Sequence, residues 1–411
     1  MSSTSRQYDV VVWGATGFTG RLVAEYLTER YGTNGDLKWA IAGRNADKLT
    51  AIKTSLGERA ANLDALTADS HDRASLDALV TNTRVVCTTV GPYAKYGSPL
   101  VAACAASGTH YCDLAGEVPW MRAMIDEHAS SAASSGARIV HCCGFDSIPS
   151  DMGVHFVQRE ARARYGEPFG EIAMLVRAIR GAASGGTVAS LLGVVEAATA
   201  DRSVARTVVH PYSLNPEGEQ KGPDSRDQTG ASYNELAGAW SAPFVMAQIN
   251  TKIVRRSNAL QGYPYGREFR YSESTSTGKG AGGFLKAGLT SVGLGGFMLA
   301  ATAAPLRSLM NKTFLPQPGD GPDAAAREAG FFNLLFYGKR GDGSVVRSRV
   351  TGDRDPGYGS TSKMLAESAV CLAKDESVTV DGGFWTPASA MGDALLTRLA
   401  NNAGLGFEFD V

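Results

Sequence analysis

The sequence lacks the short motifs that mark several common enzyme classes. It contains no H-E-x-x-H and no G-x-S-x-G, the signatures of zinc proteases and of hydrolases with a nucleophile elbow. It contains no G-x-x-x-x-G-K-[ST] loop, and its six histidines form no Cys/His cluster at zinc-binding spacing. No Tyr is followed four residues later by Lys, the pair expected of a short-chain dehydrogenase. These absences exclude the motif-bearing members of those classes, and we expect no metal site.

An excess of charge of one sign is also missing. The chain has 40 Lys and Arg against 41 Asp and Glu, a net charge of −1. We therefore expect no nucleic-acid partner held by bulk positive charge. The six cysteines include no C-x-x-C pair, which predicts reduced thiols. The first residues, MSSTSRQYD, have none of the cationic and apolar regions of a secretory signal, so we expect a cytoplasmic protein.

What the chain does have is a regular alternation of short apolar runs and helical stretches over residues 8–145. The run Val85-Val86-Cys87 is continuously apolar, as in a strand that helices cover on both faces. This alternation predicts an α/β fold with a doubly wound parallel sheet. The predicted strands are Tyr8–Trp13, Lys38–Ala42, Ala65–Ala68, Arg84–Val90, Tyr111–Leu114 and Ala137–Cys142.

The pattern changes after Gly144. Phe331–Lys339 and Val345–Val350 predict an antiparallel hairpin, since side chains alternate in character along the second run. Together with predicted helices, this hairpin indicates a second, α+β domain. The stretch Pro387–Leu399 predicts a helix that packs back on the first domain. The predicted domains are residues 1–150, 151–385 and 386–411.

One long uncharged run lies in the predicted second domain. Residues 287–306, between Lys286 and Arg307, carry no charge over 20 residues, which is long enough to span a bilayer. Four of these residues are glycine, and Pro305 further weakens the apolar character. The composition favours a buried or tunnel-lining helix. A surface segment that meets lipid or an acyl-carrying partner and a true membrane span are the other two interpretations.

A glycine-rich turn follows the first predicted strand. The string GATGFTG has the spacing G-x-x-G-x-x-G and runs into a predicted helix. Such glycines let the backbone approach a pyrophosphate, and the helix N-terminus offers free N–H groups and a partial positive charge. The strand–turn–helix context is the one that the motif requires. We predict a dinucleotide phosphate site at Gly14, Ala15, Thr16, Gly17, Phe18, Thr19 and Gly20.

The end of the second predicted strand indicates which dinucleotide binds. Folds that bind NAD place an acid there, which accepts hydrogen bonds from the ribose 2′-hydroxyl. This chain reads AGRN at residues 42–45, with no acid before Asp47. The Arg44 guanidinium can hold a 2′-phosphate instead, so the sequence favours NADP(H) with Arg44 and Asn45 in its site. Asp69, after the third strand, is predicted beside the adenine from topology alone.

The fourth predicted strand ends in Gly91-Pro92-Tyr93. In a doubly wound sheet this strand end faces the crevice where the nicotinamide lies. Gly91 and Pro92 are therefore assigned to the cofactor site. Tyr93, Lys95 and Tyr96 are predicted to border the reacting centre. A Gly-Pro turn with exposed aromatic side chains is the competing interpretation.

Several strings together resemble the saccharopine dehydrogenase-like oxidoreductases. They are GATGFTG, AGRN, VGPYAKYG at 90–97, DLAGE at 113–117, GFDSIPSDMG at 144–153 and TPASAMGDAL at 386–395. Within that family the chain is most similar to the trans-acting enoyl reductases of actinobacterial polyketide lipid synthesis. IVRRSNAL at 253–260 and REFRYSE at 267–273 also fit that subfamily. The most specific of these strings is GFDSIPSDMG.

The resemblance implies an NADP-binding Rossmann-type domain followed by a mixed α+β domain. It implies NADPH-dependent reduction of a carbon–carbon double bond in an acyl chain carried on a polyketide synthase or acyl carrier, in lipid biosynthesis. It does not imply saccharopine as the substrate. A homodimer and a peripheral membrane contact through residues 287–306 are left open.

Reduction of an enoyl thioester requires a hydride at the β-carbon, donors for the enolate oxygen and a proton for the α-carbon. Tyr93 is the first candidate for the proton donor, followed by Tyr96 and Lys95. Four polar residues that follow the fifth and sixth predicted strands are expected to orient the acyl carrier arm or the nicotinamide ribose. They are Asp113, Glu117, Asp146 and Ser147.

Two other functions remain open from the sequence. One is a dehydrogenase of a small amino or keto acid, whose carboxylates would be clamped by arginines. Its candidates are Arg177, Arg180, Arg255 and Arg256. The other is a dinucleotide-binding scaffold that has no catalytic activity.

Overall fold

The computed structural model describes residues 6–181, 185–313 and 321–411, and its strands form two seven-stranded sheets. The strands are β1 (Tyr8–Trp13), β2 (Trp39–Gly43), β3 (Asp64–Thr67), β4 (Thr83–Thr88), β5 (His110–Cys112), β6 (Arg138–Val140), β7 (Glu171–Arg180), β8 (Ser232–Asn234), β9 (Ala239–Pro243), β10 (Arg270–Gly278), β11 (Phe331–Lys339), β12 (Val345–Gly352), β13 (Gly383–Trp385) and β14 (Leu405–Glu408).

The α-helices lie mostly between these strands along the chain. They are α1 (Phe18–Tyr31), α2 (Ala46–Ser55), α3 (Arg73–Thr81), α4 (Tyr93–Tyr96), α5 (Ser98–Ser107), α6 (Val118–Ser135), α7 (Ile148–Tyr165), α8 (Gly185–Ala200), α9 (Arg202–Val209), α10 (Ala247–Leu260), α11 (Gly280–Thr302), α12 (Ala304–Thr313), α13 (Ala324–Glu328), α14 (Thr361–Lys374) and α15 (Pro387–Asn401). A 3₁₀ turn at Glu58–Ala60 and a π-helical turn at Pro356–Ser360 complete the helical elements that the structure describes.

The first sheet is parallel, with the order β13-β6-β5-β4-β1-β2-β3. All residues of β1 and β2 are buried, because helices cover both faces of the sheet. The order reverses between β1 and β4, and this switch point opens a crevice at the carboxyl ends of the strands. The predicted α/β fold with a Rossmann-type doubly wound sheet is confirmed.

The second sheet is mixed, with the order β14-β12-β11-β7-β10-β9-β8. Only β7 and β10 pair in parallel among its described strands. The predicted hairpin is present as β11 and β12, which pair from Phe332 opposite Gly352 to Lys339 opposite Val345. Burial alternates along β12, as expected for a strand with one face on the core.

The chain returns to the first sheet earlier than predicted, before the C-terminal helix at Pro387–Leu399. β13 adds to the edge of the first sheet beside β6, and α14 packs on α1, β1, β4 and β5. The predicted C-terminal helix is present as α15, which packs on α14 and α7. The domain ranges 1–150, 151–385 and 386–411 stay a prediction, but the returning segment begins before residue 386.

The uncharged run 287–306 forms most of α11 and the start of α12. The interpretation of this run as a buried or tunnel-lining helix is wrong, because its large side chains are mostly exposed, Leu289 at 67% and Val292 at 76%. Only one narrow face, which includes Ala287 and Ala301, is buried against β9, β10 and α8. Within the described ranges, α11 is the single helix long and apolar enough to cross a bilayer by length and composition.

Candidate active site

A cavity of about 660 Å³ opens at the carboxyl ends of the first sheet's strands and extends to the second sheet's helices. This is where parallel α/β sheets bind ligands, and the volume suits a small-molecule site. The first domain contributes Gly17, Phe18, Thr19, Thr89, Gly91, Pro92, Tyr93, Leu114, Gly116, Val118, Phe145 and Asp146. The opposite wall comes from the end of β7, from α8 and α9, from residues 244–249 and from residues 356–361.

The predicted phosphate loop has the backbone that a pyrophosphate site requires. Gly14 has a φ of 89°, and a Cβ atom on Gly20 would lie 2.2 Å from the Gly14 carbonyl oxygen, so both positions need glycine. The Gly14 N–H donates to the Ala42 carbonyl oxygen at 2.9 Å, which fixes the loop against β2. No side chain caps the start of α1 at Gly17, and its first turn contains no acid. The Gly17 N–H donates to the Gly14 carbonyl oxygen at 2.9 Å, whereas the N–H groups of the first turn, from Phe18 onward, are available to an anion.

The end of β2 fits a 2′-phosphate better than a free 2′-hydroxyl. Arg44 is exposed there and makes no ion pair with any described residue. The Asn45 side chain accepts a hydrogen bond of 2.8 Å from the Lys48 N–H and so caps α2. Asp69 lies at the corresponding end of β3, where its carboxylate accepts a hydrogen bond from the His71 N–H at 2.9 Å. The loop and Arg44 together fit NADP(H), while contacts of Asn45 and Asp69 with it stay a prediction.

Tyr93 lines the cavity, but its hydroxyl group is used inside the protein. It donates to the Thr88 carbonyl oxygen at 3.3 Å and accepts from the Leu114 N–H at 3.1 Å. The ring stacks on Trp120 with centroids 5.5 Å apart. Burial, and next the charge of Asp113, raise the pKa of Tyr93 well above its usual value. This hydroxyl therefore serves to join the ends of β4 and β5.

The other two predicted catalytic residues are exposed on α4 and do not line the cavity. Tyr96 instead contacts His71 edge to face, with ring centroids 6.1 Å apart. The expectation that Lys95 and Tyr96 border the reacting centre is not met by this cavity, because both residues lie on the exposed surface of α4, outside its lining. Gly91 and Pro92, which precede α4, do line the cavity.

Asp146, after β6, presents a carboxyl group to the cavity. Burial raises the pKa of Asp146 to about 7, with a further contribution from the negative charge of Asp113 and a smaller opposing one from its own backbone N–H. At neutral pH this carboxyl group is therefore protonated in a substantial fraction of molecules. It can hold and release a proton inside the site.

The charge that acts on Asp146 is fixed in place. Asp113 is fully buried and accepts hydrogen bonds from the Tyr111 hydroxyl at 2.9 Å and from two backbone N–H groups. The ring Nδ1 of His141 lies 2.7 Å from the same carboxylate. These contacts lock Asp113 behind the cavity wall, so it positions and tunes its neighbour and does not meet a ligand.

Two further predicted polar residues connect the walls of the cavity. Glu117 accepts from the Tyr93 and Ala94 N–H groups at 2.8 and 2.9 Å and from the Ser190 hydroxyl at 2.8 Å. It therefore joins α4 to α8 across the cavity. Ser147 donates to the Asn250 side-chain oxygen at 3.0 Å, which joins the end of β6 to α10.

Sequence reasoning missed the apolar wall that the second domain contributes. Its members include Ile179, Leu191, Val194, Val208, Phe244, Met246 and Tyr358. The sequence carries a signal only for Leu191 and Val194, which belong to the largely apolar helix α8. That character marks a helix with contacts on more than one face but does not identify the partners.

The arginines proposed as carboxylate clamps do not reach this wall. Arg255 is buried in an ion pair with Asp224 at 2.7 Å, and Arg256 donates to backbone carbonyl groups. Arg177 and Arg180 are exposed on β7. Within the described ranges the cavity lining contains neither Arg nor Lys. A site built to clamp a small dicarboxylate is therefore not present there.

Residues 10–140 match the family model of the saccharopine dehydrogenase NADP-binding domain. A Mycobacterium tuberculosis protein, provisionally named a trans-acting enoyl reductase, is 44% identical over 414 residues, covering 97% of both chains. A trans-acting enoyl reductase of Mycobacterium ulcerans is 40% identical over 412 residues, again covering 97% of both.

The fold has a counterpart among solved structures. The apo saccharopine dehydrogenase (L-Glu forming) of Saccharomyces cerevisiae has a TM-score of 0.53 at 14% identity and covers 98% of this chain and 99% of its own. That likeness concerns the fold alone. With relatives 40–44% identical across nearly its whole length, this chain belongs to the saccharopine dehydrogenase family of NADP-binding oxidoreductases, among the trans-acting enoyl reductases.

Proposed function

We propose that this enzyme uses NADPH to reduce a carbon–carbon double bond in an acyl chain that a polyketide synthase or acyl carrier delivers, in lipid biosynthesis. The observation that carries the proposal is the cavity. It joins the phosphate loop to an apolar wall, and within the described ranges its lining offers no cation to bind a small polar acid. An acyl chain requires such a wall, since its methylene groups gain free energy on leaving water.

The chain's own residues divide the work of holding the reactants. The N–H groups in the first turn of α1, which begins at Phe18, would hold the pyrophosphate, and Arg44 would hold the 2′-phosphate. Leu191 and Val194 of α8 would contact the acyl chain. When bound, the cofactor supplies the hydride that the β-carbon receives.

Asp146 is our candidate for the proton donor. Its carboxyl group is in the cavity and is partly protonated at neutral pH, so it can give a proton to the α-carbon directly or through one water molecule. Asp113 supports this role because its fixed negative charge keeps the proton on Asp146. Tyr93 stays the second candidate, since its hydroxyl bonds to the backbone would have to break first.

The test is turnover of model thioesters by the purified full chain. We expect NADPH to be oxidised by trans-2-enoyl pantetheine thioesters, faster with long chains than with short ones, and not by the saturated thioesters. With NADPH carrying deuterium at the transferable position, the label should appear at the β-carbon. NADPH binding without turnover of any thioester would instead support the scaffold alternative. Turnover confined to small amino or keto acids would overturn the proposal.

The partner synthase, a homodimer and a cytoplasmic location are predictions that this test does not address. A synthase would have to present its acyl arm at the mouth of the cavity. Exposed apolar residues are already found there, namely Ile179 on β7 and Val245 before α10.

A further inference from the structure

The outward face of α11 is apolar although nothing described covers it. Leu285, Leu289, Val292 and Leu299 recur at helical spacing on this face and are 63%, 67%, 76% and 72% exposed. The stripe is about 21 Å long at 1.5 Å per residue. A surface helix of a globular protein normally turns polar residues outward, so this face is built for contact with something apolar.

The charge around this stripe is of one sign. Residues 274–319 contain no Asp or Glu and four basic residues, Lys279, Lys286, Arg307 and Lys312. Lys279 and Lys286 are exposed at the N-terminal end of α11, and no described carboxylate pairs with either. Arg307 is different, because it forms an ion pair of 3.0 Å with Glu196. The exposed leucines thus lie next to two free ammonium groups, which an anionic surface would complement.

The stripe is one helix away from the cavity. Phe297 and Ala300 of α11 and Val188 and Val195 of α8 all pack against one small apolar cluster, formed by Leu192, Ala301 and Met310. A neighbouring face of α8 lines the cavity with Leu191 and Val194. Whatever α11 rests on is therefore adjacent to the wall that would hold the acyl chain.

A second copy of this chain is the less suitable occupant. The stripe is about 21 Å long and about as wide as a helix, roughly 10 Å, so its area is about 200 Å². A stable interface buries about 800 Å² per partner. A membrane span is also disfavoured, because Phe284 packs on Trp240 of β9, with ring centroids 4.8 Å apart, and α11 follows directly from β10 of the sheet. A helix that lies on a bilayer surface keeps all of these contacts.

We propose that α11 docks this protein on an anionic bilayer, with its four exposed leucine and valine side chains in the boundary between headgroups and acyl chains. Lys279 and Lys286 then contact lipid phosphates. Docking places the cavity beside the bilayer, where a long acyl chain can leave or enter without crossing water. The proposal rests on the geometry and charge of α11 and not on the reaction.

The test is flotation of the full-length protein with vesicles of phosphatidylcholine alone or with added phosphatidylglycerol. We expect binding to the anionic vesicles, weakened by salt. The double variant L289D/V292D should lower the partition coefficient at least about tenfold, since two inserted side chains are lost. Lys286→Glu should lower it by about fivefold or more. Matched controls are Val345→Asp and Lys339→Glu on the exposed hairpin, which should bind as the unmodified protein does.

Each other outcome overturns the proposal. If the unmodified protein does not float with vesicles, the docking proposal is wrong. Equal binding to neutral and anionic vesicles would contradict the contact of Lys279 and Lys286 with lipid phosphates. A dimer at micromolar concentration that L289D/V292D dissociates would assign the stripe to a second copy. Retained NADPH binding by the variants shows that they fold, and since no substrate is used, the result is independent of the proposed reaction.

Discussion

At the scale of single residues, we expect the choice between NADPH and NADH to depend on the guanidinium group of Arg44. Arg44 stands exposed where β2 ends, and the first acid after that strand is Asp47. We expect Arg44→Ala to weaken NADPH binding by about tenfold or more, because a charge-assisted hydrogen bond is lost, and to leave NADH binding nearly unchanged. A fluorescence titration with both nucleotides measures this. Lys48→Ala, one turn into α2, is the matched control, and an equal loss there would point to a general effect of positive charge.

The proton donor can be identified by pH dependence. A carboxyl group with a pKa of about 7 is protonated below that pH, so the rate should fall as the pH rises through about 7. We expect Asp146→Asn to lower kcat by about 10²-fold or more and to remove this decline. Steady-state rates across pH decide the point.

Tyr93→Phe is the contrasting variant. It should keep the decline in rate and lose about 1–3 kcal/mol of unfolding free energy, because the Leu114 N–H loses its acceptor. Loss of turnover at unchanged stability would restore Tyr93 as the donor.

Residues that depend on backbone geometry were predictable, and those that depend on tertiary neighbours were not. The glycine loop follows from its spacing and its place between a strand and a helix, and Gly14 and Gly20 have steric reasons to be glycine. Tyr93 was correctly placed at the cavity, but its hydroxyl bonds come from two other strand ends, which no local pattern encodes. The same holds for Asp146, whose pKa is raised by its burial in the folded chain and next by the charge of Asp113.

At the scale of elements, α8 is the wall that should determine chain length. Val194 faces the cavity, whereas Gly193 is exposed with nothing near it. We expect Val194→Asp to raise KM for long-chain thioesters at least about tenfold, because a charge in an apolar wall is costly, and to alter short-chain turnover much less. Gly193→Asp adds the same charge outside the cavity and should change neither the KM for long-chain thioesters nor the turnover of short-chain ones. Equal losses for short and long chains would mean that the acyl chain does not contact α8.

The helix α11 shows how composition can mislead about burial. Its uncharged residues fit a buried helix and a lipid-facing helix equally well, and glycine content does not distinguish them. The outcome is decided by how much protein surrounds the helix. Here β9, β10 and α8 cover only the face that includes Gly283, Ala287 and Ala301.

At the scale of the whole molecule, two buried acids join elements that are distant in sequence. Asp151 of α7 accepts from Ser257 of α10 and from the Ala388 N–H of α15, and Glu273 of β10 accepts from Asn250 and Tyr271. Burial raises the pKa of Asp151 and of Glu273 to about 7 each. Both groups therefore bind a proton more tightly in the folded than in the unfolded chain.

The sign of the resulting pH dependence follows from linkage. These two acids contribute to the free energy of unfolding. Their contribution is fully present below the pKa values of the unfolded chain, near 4, and is lost as the pH rises through about 7. We expect the thermal midpoint to fall by several degrees between pH about 5 and about 8. The variant D151N/E273Q should flatten this slope, as measured by thermal unfolding. An unchanged slope in the variant would assign the pH dependence to other groups.

Most of the first sheet was predictable because the alternation of strands and helices in residues 8–145 is strong and local. The exception in that sheet is the edge strand β13, three residues long and distant in sequence from its neighbour β6. A strand this short carries no periodicity, so its partner is known only once the whole chain has folded.

Because β13 lies near the C-terminal end of the sequence, it is synthesised long after the rest of the first sheet. The first sheet needs residues 383–385 at its edge, and α14 covers the face formed by β1, β4 and β5. While the ribosome is still translating the second half of the chain, the emerging sheet has an open edge at β6 and a bare apolar face. A truncation before residue 361 would likewise retain every glycine of the phosphate loop but leave the domain that carries it incomplete.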